Sequence, residues 1–257
     1  MQAKRTTINR KPLKDEVFDV LHRSILSGEY PAGAWLRQEE ISRQLGVSMT
    51  PVREALDLLV SSGLAERVAY RGVRVLHLSD PDILDSYEVR LLLESSAAGM
   101  AAARITVPEL HGLRELLDQG ATLLKLRDLP RQREVSRALH GAIVQGCGNA
   151  LLHITYLQVL KSFPDWMLYE HLYRNPTLLE ESLRVEHQEH IGIVDAIAAR
   201  NPGRAVQMAL EHVVMRGREL ERYLGISHEA LAEREACARQ WLGASEAPAD
   251  VFDKETT

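Results

Sequence analysis

The fold of the N-terminal part of the chain is decided by the stretch Leu36-Arg37-Gln38-Glu39-Glu40-Ile41-Ser42-Arg43-Gln44-Leu45-Gly46-Val47-Ser48-Met49-Thr50-Pro51-Val52-Arg53-Glu54-Ala55-Leu56. Residues 38–45 predict a short helix that Gly46 ends, because glycine is common just past a helix C-terminus. Ser48 is a preferred N-cap residue and precedes Pro51 by three positions, so a second helix begins there. Two helices joined by a tight, glycine-containing turn are typical of a helix-turn-helix.

The segments on either side of this stretch predict a winged helix. Apolar residues recur with a helical period over residues 13–26, which indicates a further helix before the motif. Beyond the motif, residues 64–69 and 73–77 have the pattern of two strands, joined by a turn at Tyr70-Arg71-Gly72. The N-terminal part is therefore predicted to be a winged helix-turn-helix of three helices plus a β-hairpin wing.

The chain changes character at Ser79. From Asp82 to about Leu224 it has the pattern of six amphipathic helices, which are separated at proline, glycine and asparagine residues. No strand-like alternation of useful length interrupts them, so this part is predicted to be an all-α helical bundle in a mainly α chain. We expect four segments: a flexible N-terminus at 1–11, the winged helix at 12–78, the helical domain at 79–225, and an extension at 226–257 with one helix before a disordered end.

Composition and charge limit the function classes. The chain is 45% hydrophobic and 26% charged, and it has no apolar run of the roughly 20 residues that cross a bilayer. A cytoplasmic protein without membrane attachment is expected. Cys147 and Cys237 lie far apart, so neither a disulfide framework nor a cysteine zinc site is indicated. Residues 1–78 hold 12 Lys and Arg against 9 Asp and Glu, while the rest of the chain is net acidic, which favours polyanion binding at the N-terminus.

The helix-turn-helix stretch closely resembles, without a gap, the recognition segment of GntR-family regulators. Its core is Thr-Pro-Val-Arg-Glu-Ala-Leu at residues 50–56, and the turn at residues 70–73 resembles the family's wing. The resemblance implies that the chain binds a double-stranded DNA operator. The residues expected to contact DNA are Arg43, Ser48, Met49, Thr50, Arg53, Arg71 and Gly72.

The chemistry of these residues agrees with DNA binding. Short polar side chains at an exposed helix N-terminus suit phosphate contacts, and Arg53 can reach a base edge or phosphate in the major groove. Arg71 and Gly72 can enter the adjacent minor groove. The family usually has arginine where this chain has Met49, which predicts an altered base readout. The alternative is a winged helix that serves only as a packing module, with its arginines solvated.

The helical part resembles the FCD-type effector domain of the FadR branch of the GntR family, over about residues 80–224. The resemblance is carried by residues 87–94, residues 139–149 and residues 189–197. It implies a homodimer on a two-fold symmetric operator, and repression that a small organic acid relieves by shifting the two winged helices.

Three histidines, His140, His190 and His212, lie on inward-facing stripes of three predicted helices. Converging imidazoles form a site for a divalent transition metal such as Zn or Ni, whose open positions can accept a small carboxylate effector. In the family, metal-binding FCD domains have aspartate at the place of Ser136. The site is therefore either three histidines plus water or ligand, or metal-free with each imidazole hydrogen-bonded to a neighbour.

Arg90 shares a stripe with Glu94 and can face the same cavity. A buried guanidinium can hold a carboxylate through two hydrogen bonds, although a structural pair with Glu94 explains the pattern equally well. Arg137, Trp166 and Tyr169 are looser candidates. The effector site is predicted to comprise Arg90, Glu94, Ser136, His140, His190 and His212.

Two other classes of function remain open from the residues alone. In a metal- or redox-responsive regulator, the metal itself would be the signal, and Cys147 would take part beside His140. In a metal hydrolase, the histidines would hold a catalytic zinc, and Glu94 or Glu186 would be the general base.

Overall fold

The computed structural model describes residues 12–160 and 175–244. Trp166, Tyr169, the predicted flexible N-terminus and most of the predicted disordered end lie outside the described residues. Contacts divide the chain into two compact units, one up to His77 and one from Leu78 onwards. No helix in the described ranges is both long and apolar enough to cross a membrane.

The first unit is a winged helix-turn-helix, as predicted. Its elements in chain order are α1 (Leu13–Leu26), β1 (Trp35–Leu36), α2 (Gln38–Leu45), α3 (Met49–Ser61), β2 (Ala65–Val68) and β3 (Gly72–Val75). The sheet has the order β1-β3-β2, and both pairings are antiparallel. The sequence predicted only the β2–β3 hairpin, because two residues are too short to show the alternation that marks a strand.

A small apolar core holds α2 and α3 at their turn. Leu21 of α1, Ile41 of α2 and Leu56 of α3 are at most 2% exposed. Gly46 ends α2 with a φ of 66°, a left-handed conformation that residues with a Cβ adopt only at a cost. The turn therefore depends on glycine at this position, which allows α3 to start three residues later, at Met49.

The second unit is a helical bundle. Its helices are α4 (Asp80–Arg104), α5 (Val107–Ala121), α6 (Leu129–Gly146), α7 (Ala150–Val159), α8 (Pro176–Ala198), α9 (Pro202–Glu219) and α10 (His228–Leu242). Capping residues mark the start of several helices. Ser79 with Asp82 forms a capping box at α4, and Thr106 with Glu109 forms one at α5. Asn201 caps α9, whose first residue is a proline.

Helix α4 lies at the centre of this bundle, and its small side chains allow the other helices to approach. Ala98 and Ala101 are fully buried in a cluster with Leu113 of α5 and Ile197 of α8. Farther towards the start of α4, Tyr87 lies in a second cluster with residues of α9 and α10. The interior of the bundle is therefore built around one helix that touches most of the others.

The C-terminal helix α10 belongs to this core. Leu231 and Ala238 are buried in the same cluster as Ile83 and Tyr87. The hydroxyl of Tyr87 also donates a hydrogen bond of 2.7 Å to Glu235 Oε1. The helix predicted for the extension thus packs as part of the second unit.

Candidate functional site

The helix-turn-helix presents an exposed, polar surface at the start of α3. Ser48, the N-cap residue, makes no side-chain capping hydrogen bond, so its hydroxyl and the first N–H groups of α3 are accessible. Met49 is 52% exposed. All the residues predicted to contact DNA are exposed: Arg43, Ser48, Met49, Thr50, Arg53, Arg71 and Gly72.

The tip of the wing contains an aromatic residue that the sequence analysis did not single out. Tyr70 is fully exposed and has a φ of 62°, which is unusual for a residue with a side chain. It directly precedes Arg71 and Gly72 at the turn between β2 and β3. An exposed tyrosine beside an arginine adds a further candidate contact to a nucleic acid at this tip.

The three histidines of the second unit meet in one buried cluster. His140 of α6, His190 of α8 and His212 of α9 have ring centroids 4.8 to 5.0 Å apart. His140 Nε2 and His190 Nε2 lie 3.1 Å apart. Each ring offers a nitrogen within 4.8 Å of the other two. The convergence predicted from three separate helical stripes is present.

Buried carboxylates hold two of these rings from the outside. Glu94 Oε2 lies 3.3 Å from His140 Nδ1, and Glu189 Oε2 lies 2.8 Å from His212 Nδ1. A carboxylate on Nδ1 orients the ring and leaves Nε2 to face the cluster, which is how histidines that bind metals are usually supported. Glu189 was not predicted, because it directly precedes His190 in sequence and lies off that residue's stripe.

A third carboxylate, Glu186, lies on another side of the cluster. Ser136 Oγ donates a hydrogen bond of 3.0 Å to Glu186 Oε1, and Arg133 Nη2 donates one of 2.6 Å to Oε2. Glu186 Oε1 is also 3.8 Å from His190 Nε2. The sequence indicated Glu186 only as a hydrolase base, although its place four residues before His190 puts it on the same helical stripe.

Burial determines the charge of the histidines. Burial, followed by the neighbouring His140, holds the pKa of His190 and of His212 well below the ordinary value. Neutral imidazoles have a lone pair to donate. Burial acts to raise the pKa of Glu186, but the neighbouring cationic groups, Arg133 first, outweigh it and hold that pKa well below its usual range. Burial raises the pKa of Glu189 to about 7 against the opposing effect of Arg216.

The other predicted effector residues have protein partners. Arg90 Nε donates a hydrogen bond of 2.6 Å to Glu94 Oε1, and both side chains are about 95% buried. This contact is the structural pair that was one of the two interpretations of their spacing. Arg137 is exposed. Cys147 is buried in an apolar cluster with Val144 and Tyr156, and it is not among the grouped metal-binding side chains.

The donor set fits a divalent transition metal. Three imidazoles on separate helices, two of them supported at Nδ1 by carboxylates, are the usual protein ligands of Zn and Ni. A cavity beside the cluster is lined by Glu94, Ala98, His140, Ile143, Val144, Ile193 and Ala209. His140 and Glu94 thus border both the cluster and this small cavity.

An exposed recognition helix with a wing is typical of DNA-binding proteins. A second, helical domain on the same chain is typical of many bacterial transcription regulators. Two sequence families match the chain. Residues 13–75 match "Bacterial regulatory proteins, gntR family", and residues 85–215 match the "FCD domain". The chain belongs to the GntR family of transcription regulators, and its second unit is an FCD domain. These proteins are not enzymes, so the hydrolase alternative is dropped.

Named relatives agree with this assignment. The HTH-type transcriptional repressor GlaR of Escherichia coli K12 is 28% identical over 205 residues, which cover 76% of this chain and 89% of the relative. A probable D-xylose utilization operon transcriptional repressor of Paenarthrobacter nicotinovorans is 28% identical over 221 residues, covering 83% and 91%.

Among solved structures, E. coli McbR/YncC has the same fold, with a TM-score of 0.60 at 22% identity over 83% of this chain and all of that one. A putative GntR regulator from Rhodococcus sp. RHA1 has a TM-score of 0.54 at 21% identity, covering 84% and 99%.

Proposed function

We propose that this chain is a repressor whose operator affinity is controlled by a small organic acid, bound beside a divalent metal in the FCD domain. The observation that carries the proposal is the meeting of His140, His190 and His212 in one buried cluster next to a cavity. These three residues would hold the metal. Its positive charge and open coordination positions would supply the attraction for a carboxylate.

The walls of the cavity favour a small ligand. The cavity is small in this conformation, with room for about one water molecule, so a larger ligand enters only when its walls move apart. Ile143 and Ile193 provide apolar surface for a short carbon chain, while His140 and Glu94 provide the polar end. The lining therefore suits a short acid with its carboxylate towards the histidines, and binding such an acid requires the surrounding helices to move apart.

The site joins helices that are far apart in sequence. The histidines come from α6, α8 and α9, and Glu94 comes from α4, which begins at Asp80 directly after the winged helix along the chain. A ligand that binds one arrangement of these helices more tightly than another shifts the population towards it. In a homodimer on a two-fold operator, such a shift at α4 would change the separation of the two recognition helices.

The test combines metal analysis with operator binding. Untagged protein is expected to carry one Zn or Ni per chain. In a gel shift, short carboxylic acids are expected to release the protein from the DNA upstream of its own gene. Chelator should abolish the release, and so should His190→Gln, while His111→Gln on the exposed face of α5 should not. Acid-induced release that persists after the metal is removed would contradict the role of the metal.

The oligomeric state is measured on the same sample. Light scattering is expected to give twice the chain mass for the free protein, and twice the chain mass plus one duplex for the complex with DNA that has two half-sites. Binding of a single chain to an isolated half-site with full affinity would contradict the homodimer.

A further inference from the structure

This inference rests on the proposed metal site. The three histidines leave a fourth coordination position of the metal without a protein donor, because residue 136 is a serine and has no carboxylate. We propose that Glu186 fills this position through Oε1. Glu186 is 2% exposed and comes from α8, the helix that also carries His190.

The three buried carboxylates around the cluster differ in the nitrogen that they approach. Glu94 and Glu189 each contact an Nδ1 atom, the nitrogen that faces away from the other rings. Glu186 Oε1 instead lies 3.8 Å from Nε2 of His190, the same atom that is 3.1 Å from His140 Nε2. Glu186 is therefore the carboxylate on the inner side, where a metal shared by these nitrogens would lie.

The distances from His190 Nε2 to His140 and to Glu186 require only a short movement. Neighbouring ligands of one ion lie about 3.0–3.4 Å apart when each is about 2.1 Å from it. His140 and His190 already meet this condition, at 3.1 Å. Glu186 Oε1 would have to approach His190 Nε2 by about half an ångström, which one side-chain torsion can provide.

The remaining contacts of Glu186 prepare it for this role. Arg133 donates a hydrogen bond of 2.6 Å to the other oxygen, Oε2, and so orients the carboxylate with Oε1 towards the cluster. Ser136 donates to Oε1 at 3.0 Å and is four residues before His140 on α6, so an aspartate at position 136 would bring its carboxylate to the same place. Ser136 and Glu186 would then be alternatives for one coordination position.

The experiment is a double-mutant cycle on metal affinity in the full chain. Zn²⁺ and Ni²⁺ affinities are measured by competition with a chromophoric chelator, together with the absorption spectrum of the Co²⁺-loaded protein. Glu186→Gln is expected to weaken binding by about 100-fold or more and to change the Co²⁺ bands, since it removes the anionic ligand. Glu115→Gln, an exposed carboxylate on α5, should change neither.

Ser136→Asp distinguishes a ligand from a supporting residue. Added to Glu186→Gln, the substitution Ser136→Asp should raise the metal affinity at least about 10-fold. In the wild-type background, the same substitution should raise the metal affinity at most about threefold. Added to Glu189→Gln, which disturbs the outer nitrogen of His212 and the contact with Arg216, Ser136→Asp should likewise raise the affinity little. An equal gain from Ser136→Asp in every background would overturn the proposal, because the position would then be open in the wild type.

Two further outcomes separate this inference from the proposed function. A wild-type protein that binds neither metal would overturn both. Metal binding that Glu186→Gln leaves unchanged would overturn only the role of Glu186. If Glu186→Gln does not fold, Glu186→Asp keeps the charge beside Arg133 but withdraws the carboxylate, and it should show the same loss and the same recovery by Ser136→Asp.

Discussion

Arg53 has the longest side chain among the exposed residues at the start of α3. We expect Arg53→Ala to weaken operator binding by about 1–3 kcal/mol, or roughly 5- to 150-fold, because one contact to a base edge or phosphate is lost. A gel shift or fluorescence anisotropy titration at one fixed salt concentration measures the change.

The matched control for Arg53 is Arg114→Ala on α5, which removes the same charge from an exposed site in the FCD domain. It should leave the affinity for the operator unchanged. Undiminished binding by Arg53→Ala would refute the assignment of α3 as the recognition helix.

The residues that build the FCD site were only partly predictable. Each histidine lies on an apolar stripe of its own helix, so the sequence predicted that all three face inward. The hydrogen bond from Ser136 to Glu186 and the contact of His212 with Glu189 join residues 50 and 23 positions apart. Those contacts depend on how far one helix is shifted along its neighbour, which no periodicity within a single helix encodes.

At the scale of elements, Gly217 determines how closely α9 approaches α4. A Cβ at this position would lie 2.7 Å from Cζ of the buried Tyr87. Gly217→Ala is therefore expected to lower the free energy of unfolding by about 1–3 kcal/mol through overpacking. Thermal or urea denaturation measures this loss.

Gly112→Ala on α5 is the control, because a Cβ there meets nothing within 4 Å. In that open helical position alanine should stabilise the protein by about 0.5–1 kcal/mol, since glycine loses more backbone freedom on folding. If Gly217→Ala also stabilises the protein, the prediction that a Cβ at position 217 overpacks the α4–α9 contact is wrong.

The docking of α10 on α4 is expected to depend on pH through Glu235. Burial raises the pKa of Glu235, although the hydrogen bond from Tyr87 and the charge of Arg239 oppose this. A group with a raised folded-state pKa stabilises the fold below its unfolded pKa, and that contribution is lost as the pH rises through the folded value. Replacing Glu235 with the neutral isostere glutamine should therefore stabilise the protein more at high pH than at low pH.

We expect the melting temperature of Glu235→Gln, relative to wild type, to be higher at pH 8 than at pH 4.5. Glutamine can still accept the hydrogen bond from Tyr87, so the comparison isolates the charge. Glu233→Gln, on the exposed side of α10, should show no such trend. A difference that does not change with pH would refute the burial of a titrating carboxyl group at this contact.

At the scale of the whole molecule, the two compact units predict two responses to metal. A metal that binds only the folded FCD domain should raise the stability of that unit by about 2.7 kcal/mol at 100 times its dissociation constant. The winged helix has no part in the histidine cluster, so its transition should not move.

Calorimetry of protein dialysed against chelator, with and without added Zn²⁺, measures both transitions. In His190→Gln neither transition should shift, since one of the three imidazoles is gone. Equal shifts of both transitions in the wild type would show that the two units unfold together, and the metal would then stabilise the whole chain.

The sequence by itself determined the winged helix, the all-α second unit and the inward direction of the three histidines. Each of these follows from local rules: a glycine turn, a capping residue, and the period with which apolar side chains recur. A long local motif also determined the family.

Tertiary structure alone decided the rest. Strand β1 has only two residues and forms by pairing with β3, about 38 positions away. Helix α10 packs on α4 through Tyr87 and Glu235, 148 positions apart. The arrangement of Glu94, Glu186 and Glu189 around the histidines likewise arises where four helices meet. The physical reason is the same in each case. These contacts form only when segments far apart in sequence pack against each other with one particular alignment.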